Sequence, residues 1–257
     1  MELNYKKIGT GEPLIILHGL FGSLDNWMTL SKRFGERNEV FLLDARNHGL
    51  SPHDDEFSYE VMARDLYEFI QQHQLTNPTV LGHSMGGKTA MQFVMNYPGV
   101  LSRLIVADIA PKPYPVHHGD IIKGMFALDF NVIRTRQQAD EELSNYIPEI
   151  STRQFILKNL YWKEKDRLDW KFNLPVIANN IDMVGDELAN IHPVDLPTLF
   201  IQGSRSNYIL ESDYAAIKSI FTQADIQSMN TGHWLHAESP DEFFSLVTSF
   251  LHKDFLG

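Results

Sequence analysis

The sequence predicts an α/β protein, a mostly parallel, doubly wound sheet with an inserted helical cap, and three observations carry that prediction. First, continuous apolar runs recur at Pro13-Leu14-Ile15-Ile16-Leu17, Val40-Phe41-Leu42-Leu43, Pro78-Thr79-Val80-Leu81 and Leu104-Ile105-Val106-Ala107. Unbroken apolarity marks strands covered on both faces, as in parallel sheets. Second, helical patterns lie between these runs, and strand alternating with helix implies parallel strands joined by crossovers. Third, the rhythm breaks at Pro111 and returns near Pro197, leaving a stretch rich in helical patterning and aromatics with no convincing buried strand. The expected division is a core of residues 1–110 and 191–257 and a helical cap of residues 111–190.

Taken in order, residues 3–8 form a short edge strand that ends in the turn signal Gly9-Thr10-Gly11. The first buried strand stops at His18-Gly19-Leu20-Phe21-Gly22-Ser23, and a helix is expected from Ser23 as N-cap through Trp27, Leu30 and Phe34. The second closes on Asp44-Ala45-Arg46-Asn47-His48-Gly49 and leads into a helix from about Ser58, with Met62, Leu66, Phe69 and Ile70 at helical spacing. The third runs into Gly82-His83-Ser84-Met85-Gly86-Gly87 and a helix to about Tyr97; the fourth ends at Asp108-Ile109-Ala110-Pro111. Beyond the cap, Pro197-Thr198-Leu199-Phe200-Ile201-Gln202-Gly203 resumes the sheet. A helix through Tyr214 and Ile217 and a last strand near residues 225–229 follow. The closing helix carries a capping-box pattern, Ser239 as N-cap with Glu242 three residues on and Pro240 in the first helical position.

A chain of 257 residues has ample material for one large buried core. Its formal net charge of −11 argues against a nucleic acid or an anionic membrane as main partner and favours a small molecule. Residues 1–6 have neither a basic nor an apolar leader, and no apolar run reaches the length of a membrane span, so a cytoplasmic location is expected. The absence of cysteine excludes disulfides, thiolate nucleophiles and Cys-bearing zinc sites.

The chemistry gathers at the predicted carboxyl ends of the strands, where open α/β sheets bind ligands. Gly82-His83-Ser84-Met85-Gly86 is a G-x-S-x-G pattern between a strand and a helix, the context of a strained turn that lifts a serine hydroxyl out of the sheet. The hydroxyl needs a base, and the base an orienting acid. His233, after the last predicted strand, is the candidate base. His18, His48 and His83 are read as loop-bracing hydrogen bonders, and His236 as structural. The usual acid position, about three residues past Gly203, holds Ser206, and no carboxylate follows until Glu211 and Asp213. Asp108, at the end of the preceding core strand, is therefore the candidate acid, with Ser206 as an auxiliary hydroxyl. The N–H groups of Met85 and Leu20 are the expected oxyanion donors, and Phe21 and Trp234 the expected pocket walls. A serine nucleophile with an imidazole base needs no metal or other cofactor.

Together, His18-Gly19-Leu20-Phe21-Gly22-Ser23, Arg46-Asn47-His48-Gly49-Leu50-Ser51-Pro52, Gly82-His83-Ser84-Met85-Gly86-Gly87-Lys88, Asp108-Ile109-Ala110-Pro111 and Gly232-His233-Trp234 resemble the YbfF-type esterases of the α/β-hydrolase superfamily. The resemblance spans nearly the whole core and only loosely the cap. It implies the α/β-hydrolase fold, an acid at Asp108 with a serine at Ser206, and hydrolysis of carboxylic esters or acyl thioesters. Ser84 excludes the branches of this fold that attack with an aspartate. C–C hydrolases, peptidases and perhydrolases use the same three groups, and a non-catalytic ligand-binding protein is the alternative of another class. Residues 151–172 carry a local charge of +3, from Arg153, Lys158, Lys163, Lys165, Arg167 and Lys171 against three acids. That charge would suit the phosphates of an acyl-CoA, although a solvated helix face is its commoner meaning.

Overall fold

The structure is a computed structural model, and it describes residues 1–253. In chain order the strands are β1 (Tyr5–Ile8), β2 (Glu12–Leu17), β3 (Asn38–Leu43), β4 (Thr79–His83), β5 (Arg103–Ala107), β6 (Leu160–Glu164), β7 (Arg167–Trp170), β8 (Thr198–Gly203) and β9 (Ala224–Met229). The helices are α1 (Met28–Phe34), α2 (Tyr59–Gln72), α3 (Met85–Asn96), α4 (Gly119–Ala127), α5 (Arg136–Leu143), α6 (Ile150–Leu157), α7 (Leu174–Asn179), α8 (Tyr214–Ile220), α9 (Leu235–Glu238) and α10 (Pro240–Leu251). Seven strands form the main sheet in the order β1-β3-β2-β4-β5-β8-β9. β1 is the antiparallel edge, and all the other pairings are parallel.

The apolar runs follow from this topology. Along β2, Leu14 and Ile16 pack with Trp27, Leu30 and Phe34 and with Phe243, Val247 and Phe250 of α10. Ile15 and Leu17 pack on the opposite face with Leu66 and Phe69 of α2 and Ala90 and Phe93 of α3. Alternate side chains of one strand thus enter two cores, so neither face can be polar. Because β2, β4, β5, β8 and β9 run parallel, their carboxyl ends share one rim of the sheet, and the loops after Leu17, His83, Ala107, Gly203 and Met229 meet there.

Between β5 and β8 lie α4 to α7 and a two-stranded antiparallel sheet, β6 with β7. This hairpin adds two half-exposed strands to a stretch expected to be helical and without a convincing buried strand. Leu160, Leu168 and Trp170 are buried while Lys163, Glu164 and Arg167 are exposed. Such half-exposed strands lack the continuous apolarity that marks a central one. The segment has its own apolar cluster, which includes Met125, Leu143, Ile156, Leu160 and Phe172, and that cluster reaches Leu20, Phe21, Tyr59 and Met85 of the sheet layers.

Two helix starts also differ from the sequence reading. After Ser23 the chain makes a 3-10 turn, Leu24–Trp27, before α1 begins. The Asn26 side chain accepts from Ser23 N at 2.8 Å and Asp44 accepts from Leu24 N at 2.8 Å, which holds the turn tight. At α10, Ser239 Oγ bonds the Glu242 carboxylate at 3.2 Å, so the two side chains pair with each other instead of with the backbone. Ser58 caps α2 as expected, accepting from Val61 N at 3.3 Å. Among the described residues no helix is long and apolar enough to cross a membrane.

Candidate active site

Ser84 sits between β4 and α3 with φ 53° and ψ −117°. That left-handed backbone is strained for serine and is held by Ser84 N donating to Ala107 O at 3.0 Å and Lys88 N donating to Ser84 O at 3.0 Å. The flanking glycines are steric requirements of the turn. A Cβ on Gly82 would lie 2.2 Å from Gly86 O, and one on Gly86 would lie 2.5 Å from Leu17 O. The serine therefore stands at the amino end of α3, pressed against the end of β2, as its spacing predicts.

Asp108 follows β5, fully buried and with a positive φ of 50°. Its carboxylate collects three donors: Gly203 N to Oδ1 at 2.9 Å, and both His233 Nδ1, at 2.8 Å, and Ser206 Oγ to Oδ2. Two loops from neighbouring strands thus fix the plane of one carboxylate. With its Nδ1 proton engaged, His233 keeps Nε2 as an acceptor. The ring is further held by Tyr208, stacked at 4.1 Å and 24°, and by His83, whose Nε2 donates to the His233 carbonyl at 2.8 Å.

His18 and His48 brace the loops of the rim. His18 Nε2 accepts from Ala45 N at 3.0 Å, so Nδ1 donates to Gly19 O at 2.8 Å. His48 Nε2 accepts from Phe21 N at 3.2 Å and its Nδ1 donates to Arg46 O at 2.9 Å. Burial keeps both rings neutral: it lowers His18, and with His18 nearby it pushes His48 down to about 3. Because the Phe21 N–H is taken by His48, it is not free to meet an oxyanion. Leu20 N and Met85 N take no acceptor among the described residues, and both residues line the cavity that contains Ser84.

That cavity holds about 280 Å³. Ser84, Met85, Leu20, His233, Phe21 and Trp234 all line it; Asp108 and Ser206 lie behind His233. No hydrogen bond joins Ser84 Oγ to His233 among the described residues, and in ligand-free enzymes such contacts are often loose. Tyr208, two residues past Ser206, lacked any motif that marks it from sequence. Lys88 was visible only as part of Gly86-Gly87-Lys88. It is buried, donates to the Asp186 carbonyl, and lies 5.5 Å and 5.0 Å from the ring centroids of Tyr59 and Tyr114. Burial pushes its ammonium down to about 8. Through it, α3 holds the segment beside Val184 and Gly185, which form part of the cavity wall. Of the basic residues in 151–172, Arg153 pairs with Asp140, Lys163 with Asp169 and Lys171 with Asp25, which leaves less open positive charge than the sequence implies.

The architecture and the rim define an α/β hydrolase with a serine at the elbow, and comparisons with known proteins agree. The model of the alpha/beta hydrolase fold family matches residues 12–143. The sn-1-specific diacylglycerol lipase ABHD11 of Mus musculus is 39% identical over 247 residues, 93% of this chain and 80% of that protein. Esterase YbfF of Escherichia coli is 35% identical over 243 residues, 93% of each. A solved marine microorganism esterase is 43% identical with a TM-score of 0.94, covering 97% of this chain and 99% of its own. The chain belongs to the alpha/beta-hydrolase fold family and, within it, to the YbfF-type esterases.

Proposed function

We propose that this protein hydrolyses carboxylic esters through an acyl-enzyme on Ser84, with His233 as general base and Asp108 as the acid that orients it. The observation that carries the reading is the buried Asp108 carboxylate, 2.8 Å from His233 Nδ1, behind a cavity that holds both His233 and a strained Ser84. In this mechanism Ser84 Oγ attacks the ester carbonyl as His233 Nε2 takes its proton, and Asp108 stabilises the imidazolium. The N–H groups of Leu20 and Met85 receive the negative charge on the carbonyl oxygen. His233 then returns the proton to the departing alkoxide oxygen. Water, deprotonated by the same nitrogen, releases the acid and restores Ser84. Ser206 donates to the same Asp108 oxygen, Oδ2, that accepts from His233, while Gly203 N holds the other oxygen.

We read residues 111–190 as a cap on a core formed by 1–110 and 191–257, with Phe21 and Trp234 among the walls that receive the acyl chain. The relatives' names, esterase and diacylglycerol lipase, favour oxygen esters. Arg153 and Lys171 pair with Asp140 and Asp25 from outside the basic segment, which lowers its open positive charge and weighs against a CoA site. A screen of p-nitrophenyl esters by acyl length alongside acyl-CoAs tests this. Ester turnover is expected to exceed thioester turnover, and the reverse order would move the substrate class to acyl thioesters.

A further inference from the structure

Leu20 and Phe21 are the middle residues of a four-residue turn that Gly22 N closes on Gly19 O at 2.9 Å. The turn starts hard against the nucleophile: a Cβ on Gly19 would lie 3.3 Å from Ser84 Cβ. Phe21, in the third place, has a φ of 55°, a conformation that turns ordinarily give to glycine or asparagine. A phenylalanine left to itself relaxes from it, and the peptides before it, with the Leu20 N–H, turn as it does so.

Both backbone groups of Phe21 are held from outside the turn. His48 Nε2 takes the N–H at 3.2 Å, and the Asn159 side-chain amide donates to the carbonyl at 2.6 Å. Asn159 lies between α6 and β6, in the segment that joins β5 to β8, and is 1% exposed. Its own backbone is fixed there, the N–H donating to Ile156 O at 3.0 Å and the carbonyl accepting from Lys171 N at 2.8 Å. Two carbonyls face the amide nitrogen, Phe21 O and, at 3.3 Å, Ile156 O, so the NH2 group stands on that side. The amide oxygen Oδ1 is buried with no hydrogen-bond partner among the described residues. An unpaired buried oxygen is a cost that a leucine of similar shape avoids, so what explains an asparagine here is its donor side, the hold on Phe21.

We propose that Asn159 is a positioning residue for the oxyanion hole: by holding the Phe21 carbonyl it keeps the turn in the strained form that presents the Leu20 N–H to the substrate. The proposal rests on the reading of Ser84 as nucleophile with Leu20 and Met85 as oxyanion donors. The Met85 N–H belongs to the start of α3, outside this turn, so Asn159 governs one donor of the two. The hold on Phe21 comes from the segment between β5 and β8, and the oxyanion hole is therefore complete only while that segment is packed on the sheet.

The test compares p-nitrophenyl butyrate with its thiono analogue, in which sulfur replaces the carbonyl oxygen. Sulfur is larger and a weaker acceptor, so the oxo-to-thiono ratio of kcat/KM, divided by the ratio of alkaline hydrolysis rates, reads what the oxyanion donors contribute. The wild type is expected to favour the oxo ester by about 10²-fold or more, the worth of at least one such donor. Asn159→Leu is expected to lower that ratio by about 10-fold, as a misaligned donor does. A merely structural loss of folded enzyme lowers both rates alike and leaves the ratio unchanged. Should Asn159→Leu fail to fold, Asn159→Ser, too short to reach the Phe21 carbonyl, gives the same reading. Lys171→Ala, which breaks the exposed pair with Asp25 between the same segment and the core, is expected to keep the wild-type ratio. A wild-type ratio of one, a ratio that neither Asn159 variant moves, or one that Lys171→Ala lowers as far overturns the proposal. Fluorophosphonate labelling separates the two claims: an unlabelled Ser84 defeats the esterase reading, whereas a labelled Ser84 with an oxo preference unchanged in the Asn159 variants defeats the positioning role alone.

Discussion

Phe21, Ser84 and Asp108 all carry a positive φ, 55°, 53° and 50°, and all border the same cavity or the histidine that lines it. Each such residue costs on the order of 1–3 kcal/mol, a cost that persists where the surroundings over-determine the geometry. In the proposed mechanism the tension has a use at each position. It aims the Ser84 hydroxyl outward, turns Asp108 toward His233, and shapes the loop that leaves the Leu20 N–H open. Ser84→Ala is expected to cut ester turnover by at least about 10⁴-fold with an unchanged circular dichroism spectrum. Asp108→Asn is expected to cost about 10⁴-fold in kcat through the wrong His233 tautomer, whereas Asp213→Asn, whose carboxylate pairs with Lys112 at 2.5 Å, should remain within a few-fold. The opposite ranking in steady-state kinetics would transfer the orienting role to Asp213.

Ser84, Asp108 and His233 could be nominated from the chain because each sits in a pattern it punctuates: a glycine-framed serine, a strand-end aspartate chosen because Ser206 fills the usual acid position, and a histidine after the last strand. Tyr208 and the Trp27–His236 stack were not, since ring contacts between residues far apart leave no mark on local spacing.

At the scale of elements, two helix starts place opposite demands on glycine. Gly86 has the Leu17 carbonyl where a Cβ would go, while Gly119, at the start of α4, has open space and no positive φ. Gly86→Ala should therefore destabilise by about 2–3 kcal/mol, through strain on a packed turn. Gly119→Ala should be neutral or stabilise by up to about 1 kcal/mol. Urea midpoints of the two variants check the contrast, and equal midpoints would contradict the close approach of α3 to β2. The same scale explains why the main sheet could be read and the β6–β7 hairpin could not. Central strands announce themselves by apolarity on both faces, whereas the hairpin alternates within a charged surface.

Over the whole molecule, buried neutral histidines tie stability to pH. His48 and His236 are held at about 3 by burial, against about 6.5 in an unfolded chain. Between those values the unfolded state binds more protons, so the stability these rings contribute is present above pH 6.5 and is lost as pH falls toward 3. Each adds at most about 1.4 kcal/mol per pH unit to that loss. Unfolding free energies measured from pH 7 to 5, above most carboxylate titration, should fall on acidification; a flat profile would show that the rings are not buried neutral.

The central claim is that Ser84 is the nucleophile of an esterase, and labelling with a fluorophosphonate followed by peptide mapping tests it most directly. The account predicts a single stoichiometric adduct on Ser84, loss of p-nitrophenyl ester hydrolysis in step with labelling, and neither adduct nor turnover in Ser84→Ala. An unlabelled Ser84, or a Ser84→Ala variant that still hydrolyses the esters, would contradict it.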